Sequence, residues 1–374
     1  MTQGLGARLH EVMRRVIGPG PAPHAVSIGE LQREARSLRV GWRAYKLRWS
    51  RLRLLIRAWR KRRQIAVIRD RTAQIEHGAV LAFVVVRNEA LRLPYFLDHY
   101  RRLGVGHFLI VDNHSRDGSR DYLAAQPDVS LWATKSGYKQ SRFGLDWVTW
   151  LQRRHGAGHW CLTLDADEIL VYPYWETRNL QALTFRLEAE GRRSFGTMML
   201  DMYPKGPLEQ QSYLPGQDPM EVLPWFDGGN YIVQVQPRMR NLWIQGGVRA
   251  RAFFSREPRR APTLNKVPLV RWDRSYAYVN STHAILPRGL NAVYDEKGGE
   301  WLSGVLLHTK FLPVVVEKSR EERQRREHFH NSALYDDYYH SVIASPDLWC
   351  PQSSLYSGWQ QLEAMGLMSR GGWV

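Results

Sequence analysis

Cysteine is nearly absent: Cys161 and Cys350 are the only two in 374 residues. Two cysteines cannot build a disulfide framework, so stability must come from a packed core, as in a reducing compartment. No apolar run approaches the ~20 residues needed to span a bilayer; Val80–Val86 is among the longest and has the length of a strand. The first 18 residues, MTQGLGARLHEVMRRVIG, lack the continuous apolar stretch of a secretory signal. The expectation is a cytoplasmic protein, at most peripheral on the inner face of the membrane. Internal repeats and low-complexity tracts are missing. So are Walker A, H-E-x-x-H, G-x-S-x-G and G-x-G-x-x-G, which removes the commonest competing enzyme classes.

Acidic residues are scarce where basic ones crowd. Residues 1–77 hold 18 Lys and Arg against five Asp and Glu, which is +13 of the total net charge of +17. A nucleic-acid-binding fold spreads its charge over the folded body, so nucleic acid is not the expected partner. Within this segment Leu38, Trp42, Tyr45, Trp49, Leu52, Ile56 and Trp59 recur at steps of three and four among Arg and Lys. Two uses fit such a helix. Residues 28–71 lie on an anionic membrane surface, or the helix packs on its own domain with its arginines reaching solvent.

With 44% hydrophobic and 24% charged residues, the rest reads as an ordinary globular chain. Strands are expected at Ala79–Val86, His107–Val111, Val129–Ala133 and His159–Leu164. Helices are expected after Pro94, over Asp117–Ala125 and over Arg142–His155. This alternation predicts an α/β fold with a largely parallel sheet flanked by helices. Beyond residue 170 further strands are expected at Ser194–Met202, Tyr231–Val235, Arg249–Phe254 and Lys266–Trp272, with loop over 203–230 and a charged helix over 317–340. Ligands of such sheets lie beyond the carboxyl ends of the strands, where Arg87-Asn88-Glu89, Asp112 and Asp165 to Glu168 fall. Asp165 and Asp167 are one residue apart at a strand's end. In extended backbone both carboxylates point to one side and suit Mg²⁺ or Mn²⁺ bridging a substrate diphosphate.

Three blocks, VVVRNEALRLPYFLDHYRRLGV (84–105), FLIVDNHSRDGSRDYL (108–123) and WCLTLDADEIL (160–170), together carry a resemblance. The sequence resembles a bacterial family 2-type glycosyltransferase with the GT-A fold, in the branch that also resembles family 92-type enzymes. That resemblance implies a metal-dependent, inverting transfer of sugar from a nucleotide-diphosphate donor, with UDP the expected nucleotide, to a saccharide or lipid-linked acceptor in envelope polysaccharide synthesis. It implies that Arg87, Asn88 and Glu89 line the nucleotide pocket, that Asp112 bonds base or ribose, and that Asp165 contacts ribose or metal. Asp167 becomes a metal ligand. Lys139 and Arg142 stand where such enzymes place cations near the nucleotide. A late His completes the metal site in GT-A enzymes, and His308 followed by Lys310 fits better than His283. No clear E-D motif follows the metal site, so Asp201, Asp227 and, third, Glu221 are the candidate bases. Trp225, Tyr231, Trp243 and Trp272 are candidates for stacking on sugar faces. The implied domains are a basic helical extension (1–77), a GT-A body with nucleotide-binding (78–170) and acceptor (171–315) halves, and a helical tail (316–374).

Two other readings share these features. Haloacid-dehalogenase-type phosphatases also open with D-x-D, but on the first strand and continuing D-x-D-x-[TV]; here three strands precede it and Ile169 holds the Thr/Val position. A basic membrane- or nucleic-acid-binding adaptor has no need of Asp112, Asp165, Asp167 and His308 at strand ends.

Overall fold

The computed structural model describes residues 38–293, 301–325 and 336–374. The part of the amphipathic segment before residue 38 lies outside the described residues. Nine strands form the central sheet: β1 (Ala66–Arg69), β2 (Val80–Val86), β3 (Val105–Asp112), β4 (Val129–Ala133), β5 (Trp160–Leu164), β6 (Glu168–Val171), β7 (Ser194–Asp201), β8 (Asn265–Arg271) and β9 (Gly304–His308). Their order across the sheet is β1-β4-β3-β2-β5-β8-β7-β9-β6. β4, β3, β2 and β5 pair in parallel. β8 runs antiparallel between β5 and β7, and β9 pairs in parallel with β7 and antiparallel with β6.

The α/β class follows from local sequence. β2 (VLAFVVV) is covered on both faces, so every position is apolar. Helix α1 (Leu38–Lys61) precedes the sheet, and α2 (Leu93–Arg102) crosses from β2 to β3. Pro94 sits in the first turn of α2, and Leu93, Phe96, Leu97 and Tyr100 form its buried stripe. Further helices are α3 (Ser119–Ala125), α4 (Leu145–Leu151), α5 (Leu180–Ala189), α6 (Gly247–Phe253), α7 (Val314–Arg325), α8 (Asp336–Ile343) and α9 (Trp359–Ala364). Among the described residues no helix is long and apolar enough to cross a membrane.

Three expectations change. The boundary at residue 77 cuts through the body, because β1 pairs with β4 at the sheet's edge and Arg57 of α1 holds the buried Asp146 of α4 at 2.6 Å. The segment after 316 is no separate tail. Leu348, Trp359, Leu362 and Met368 share a core cluster with Phe226 and Phe311, and Trp373 is buried with Tyr172. The expected strand Arg249–Phe254 instead falls on helix α6 and its C-terminal cap, since its short apolar pattern suits either period, and Arg249 there pairs with buried Asp201.

Candidate functional site

Because β2, β3 and β5 are parallel, their carboxyl ends open on one side. β7 and β9 end there too, and antiparallel β8 begins there. A cavity of about 650 Å³ lies at this edge, lined by eight Arg and Lys against five Asp and Glu. Its size falls in the ~300–1,000 Å³ span of ligand sites, and its cationic surplus suits an anionic ligand.

The loop between β5 and β6 carries Asp165 and Asp167. Its ends are closed by Glu168, whose backbone N–H donates to the Asp165 carbonyl and whose carboxylate accepts from the Asp165 N–H, both at 3.1 Å. Lys266 of β8 reaches in from below. Its ammonium donates to Glu168 and, at 3.2 Å, to Asp165. Burial pushes the Glu168 carboxyl up to about 7 even with Lys266 opposing it. The Lys266 pKa is pulled down by burial and raised overall by Glu168 and Asp165. Held this way, Asp165 keeps its side chain 49% exposed to the cavity.

Sheet register brings the second group together. His308 ends β9 with Asp201 of β7 as its neighbour on one side and Glu168 of β6 on the other. Its Nδ1 lies 2.6 Å from the Asp201 carboxylate and its Nε2 3.3 Å from Asp167. Arg249 of α6 donates to the other Asp201 oxygen at 2.7 Å. Burial lowers the His308 pKa, and the two carboxylates more than reverse it. Burial raises Asp201, yet Arg249 and His308 hold it at about 2. Asp167 is likewise raised by burial but held well below the usual range by His308, Arg92 and Lys310. Lys310 also lines the cavity, and burial followed by the neighbouring Arg249 brings it down to about 8.

Among the described residues no three His, Cys, Asp or Glu side chains converge closely enough to hold a metal as they stand. The chemistry of the set nonetheless fits one. A carboxylate fixing Nδ1–H of a histidine whose Nε2 faces an aspartate is the arrangement that orients a histidine ligand. His308 and Asp167 would supply two donors to a hard divalent ion.

Arg87, Glu89, Asp165, Asp167, His283, His308 and Lys310 all line the cavity, whereas Asn88, expected beside Arg87 and Glu89, does not. Arg87 and Asn88 bind Glu321 of α7, and Glu89 is held by Arg92 and Lys318. His283 is fixed through Nδ1 to the Asn265 carbonyl at 2.6 Å. Burial, then the charge of Lys266, lowers its pKa to about 3, so it is a neutral imidazole.

Other expectations are corrected. Asp112 is fully buried and spent on Arg120 and the Ser115 N–H; the adjacent Asn113 lines the cavity in its place. Arg142 donates to the Tyr278 and Val279 carbonyls and to Asp146, and neither it nor Lys139 lines the cavity. Asp201 does not line the cavity, and both its carboxylate oxygens are occupied, one by His308 and one by Arg249. Asp227 is locked by Arg251, Tyr203 and Asn230 away from the cavity, and Glu221 also lies off it. Of the four candidate stacking residues only Trp243 lines it. Lys266, Arg249, Arg92, Lys318 and Glu321 escaped sequence reasoning. Lys266 alone left a signal, as a cation directly before the apolar run VPLV.

No family model matches this chain, and no curated protein matches it. Solved structures similar to it include the mannosyltransferase PcManGT from Pyrobaculum calidifontis in complex with GDP-Man and Mn²⁺. The two are 20% identical, with 44% of this chain and 47% of that one covered and a TM-score of 0.24. The chain thus spans about half the length of that mannosyltransferase. A putative glucose-1-phosphate thymidylyltransferase from Bacillus anthracis, in complex with a sucrose, is 8% identical over 71% of this chain and 84% of its own, with a TM-score of 0.28. At these TM-scores neither likeness bears on function.

Proposed function

We propose that this protein transfers a sugar from a nucleotide-diphosphate donor to an acceptor hydroxyl, using a divalent cation, Mn²⁺ or Mg²⁺. The observation that carries the reading is the Asp201–His308–Asp167 chain beside Asp165, set in a cationic cavity at the carboxyl ends of the strands. Asp167 and His308 would hold the ion, with Asp165 within the same cavity. Bound there, the cation would supply Lewis-acid stabilisation of the departing diphosphate. Lys310, half-buried in the cavity wall near Asp167, would add positive charge for the same leaving group. Arg249 and Asp201 act through His308, holding its ring rather than touching substrate. Lys266 keeps Glu168 and Asp165 from repelling one another, so the D-x-D loop stays closed at its base. Asn113 and Arg87 line the cavity where β2 and β3 end, the side on which a nucleoside would lie. Transfer to a lipid-linked acceptor, and UDP as the nucleotide, belong to the same proposal on the strength of the sequence resemblance.

The test is a screen of UDP-, GDP- and CMP-sugars for hydrolysis and thermal stabilisation with and without Mn²⁺. One donor class should stabilise the protein only with the ion present, and Asp167→Ala should abolish both effects. Donor turnover unchanged by chelator would overturn the metal-dependent mechanism. Hydrolysis of generic phosphate esters without donor turnover would favour the phosphatase reading.

A further inference from the structure

Helix α1 has two apolar sides, and the fold uses one. At 3.6 residues per turn, Leu47, Leu54 and Ala58 fall together, and this side faces α4, with Leu47 and Ala58 buried. Trp49, Leu52, Ile56 and Trp59 fall on the opposite side. They are 50%, 44%, 41% and 48% exposed, which for four large apolar residues on one helix face is a continuous stripe. Exposed Arg48 borders it on one edge, and Arg53 and Arg60 on the other. Val67 and Ile68 of β1, the next element of the sheet, are exposed as well.

A helix on a globular body turns one stripe inward. A second stripe turned outward, rich in Trp and rimmed by Arg, matches the chemistry of an interface between anionic headgroups and acyl chains. We propose that α1 docks the protein on an anionic lipid bilayer, with Trp49, Leu52, Ile56 and Trp59 entering the headgroup boundary and the arginines meeting lipid phosphates. Charge selects this occupant. A second copy would bring like cations against the same rim. Residues 1–37, with five Arg against three Glu, are themselves net basic and do not complement it. The docking does not depend on the proposed transfer, although the two are placed to cooperate: α4, on which α1 lies, contributes Leu145 and Val148 to the cavity wall.

The experiment uses the full chain and vesicles of phosphatidylcholine with and without about 30% phosphatidylglycerol. The protein should sediment with the anionic vesicles, bind neutral ones far less, and lose part of its binding as salt rises. The triple variant Trp49→Ser/Leu52→Ser/Ile56→Ser replaces side chains that face solvent. It should bind anionic vesicles at least about tenfold more weakly, with Tm and donor binding unchanged. Reversal of Arg48, Arg53 and Arg60 to Glu should weaken binding to anionic vesicles and not to neutral ones. Equal binding to both vesicle types, or serine variants that bind as the wild type does, would overturn the proposal. A wild-type dimer that the serine variant converts to monomer in sedimentation velocity would do so in favour of a second copy. Loss of donor turnover with vesicle binding intact would instead count against the transfer reaction alone.

Discussion

Replacing Asp201 by Asn separates a base from a positioning residue. Asp201 and Arg249 are both almost wholly buried and 2.7 Å apart. Asn keeps the shape and removes the charge, so the guanidinium is left uncompensated, a loss of about 3–5 kcal/mol when a buried pair is broken on one side. The fall of the Asp201 pKa from 3.8 to about 2 corresponds to about 2 kcal/mol, so the two routes agree in order of magnitude. At about 2 °C per kcal/mol for a large domain, Tm should drop by roughly 6–10 °C by scanning calorimetry. His308 also loses the carboxylate that fixes Nδ1–H, and Mn²⁺ affinity should fall about 10–100-fold by titration calorimetry. Removing both charges in Asp201→Asn/Arg249→Met should recover part of the Tm, because no orphan charge remains, without recovering the affinity. The reasoning is refuted if Asp201→Asn melts and binds Mn²⁺ as wild type and loses only transfer to the acceptor. That pattern belongs to a general base.

His308→Ala should abolish Mn²⁺-dependent donor binding, whereas His283→Ala should leave the ion dependence intact, because His283 is tied to the Asn265 carbonyl; metal titrations of the two decide it. His99 is buried among aromatic rings, and burial lowers its pKa from the usual 6.5 to about 4. The unfolded chain therefore binds its proton first, so stability present above pH 6.5 is lost as pH falls toward 4, by about 3 kcal/mol at most. The Tm difference between wild type and His99→Gln should shrink over that range; a difference constant with pH would contradict it. Gly371 has φ +53°, and a Cβ there would stand 2.2 Å from the Leu302 backbone nitrogen. Gly371→Ala should cost on the order of 1–3 kcal/mol in denaturant unfolding, whereas a detached tail would show no change.

Residues 79–170 were legible because their information is local. Buried parallel strands are apolar throughout, Pro94 opens a helix, and D-x-D follows the apolar run WCLTL, so element type and the position of Asp165 and Asp167 can be read from neighbours in the chain. The stripe of α1 was legible for the same reason. Which side of α1 the fold covers was not, because it depends on α4, some 90 residues on, where Arg57 finds Asp146. Distance along the chain also hid the roles of the acids. Asp201 is a plausible base until Arg249 and His308, 48 and 107 residues away, occupy it. Lys266 is an ordinary lysine until sheet order sets β8 beside β5 and brings it to Glu168, 98 residues earlier. Sequence alone determined which residues carry charge and where strands end. Tertiary structure decided which charges are already neutralised by a partner and which still face the cavity, because pairing energy depends on burial and separation in space, neither of which spacing along the chain records.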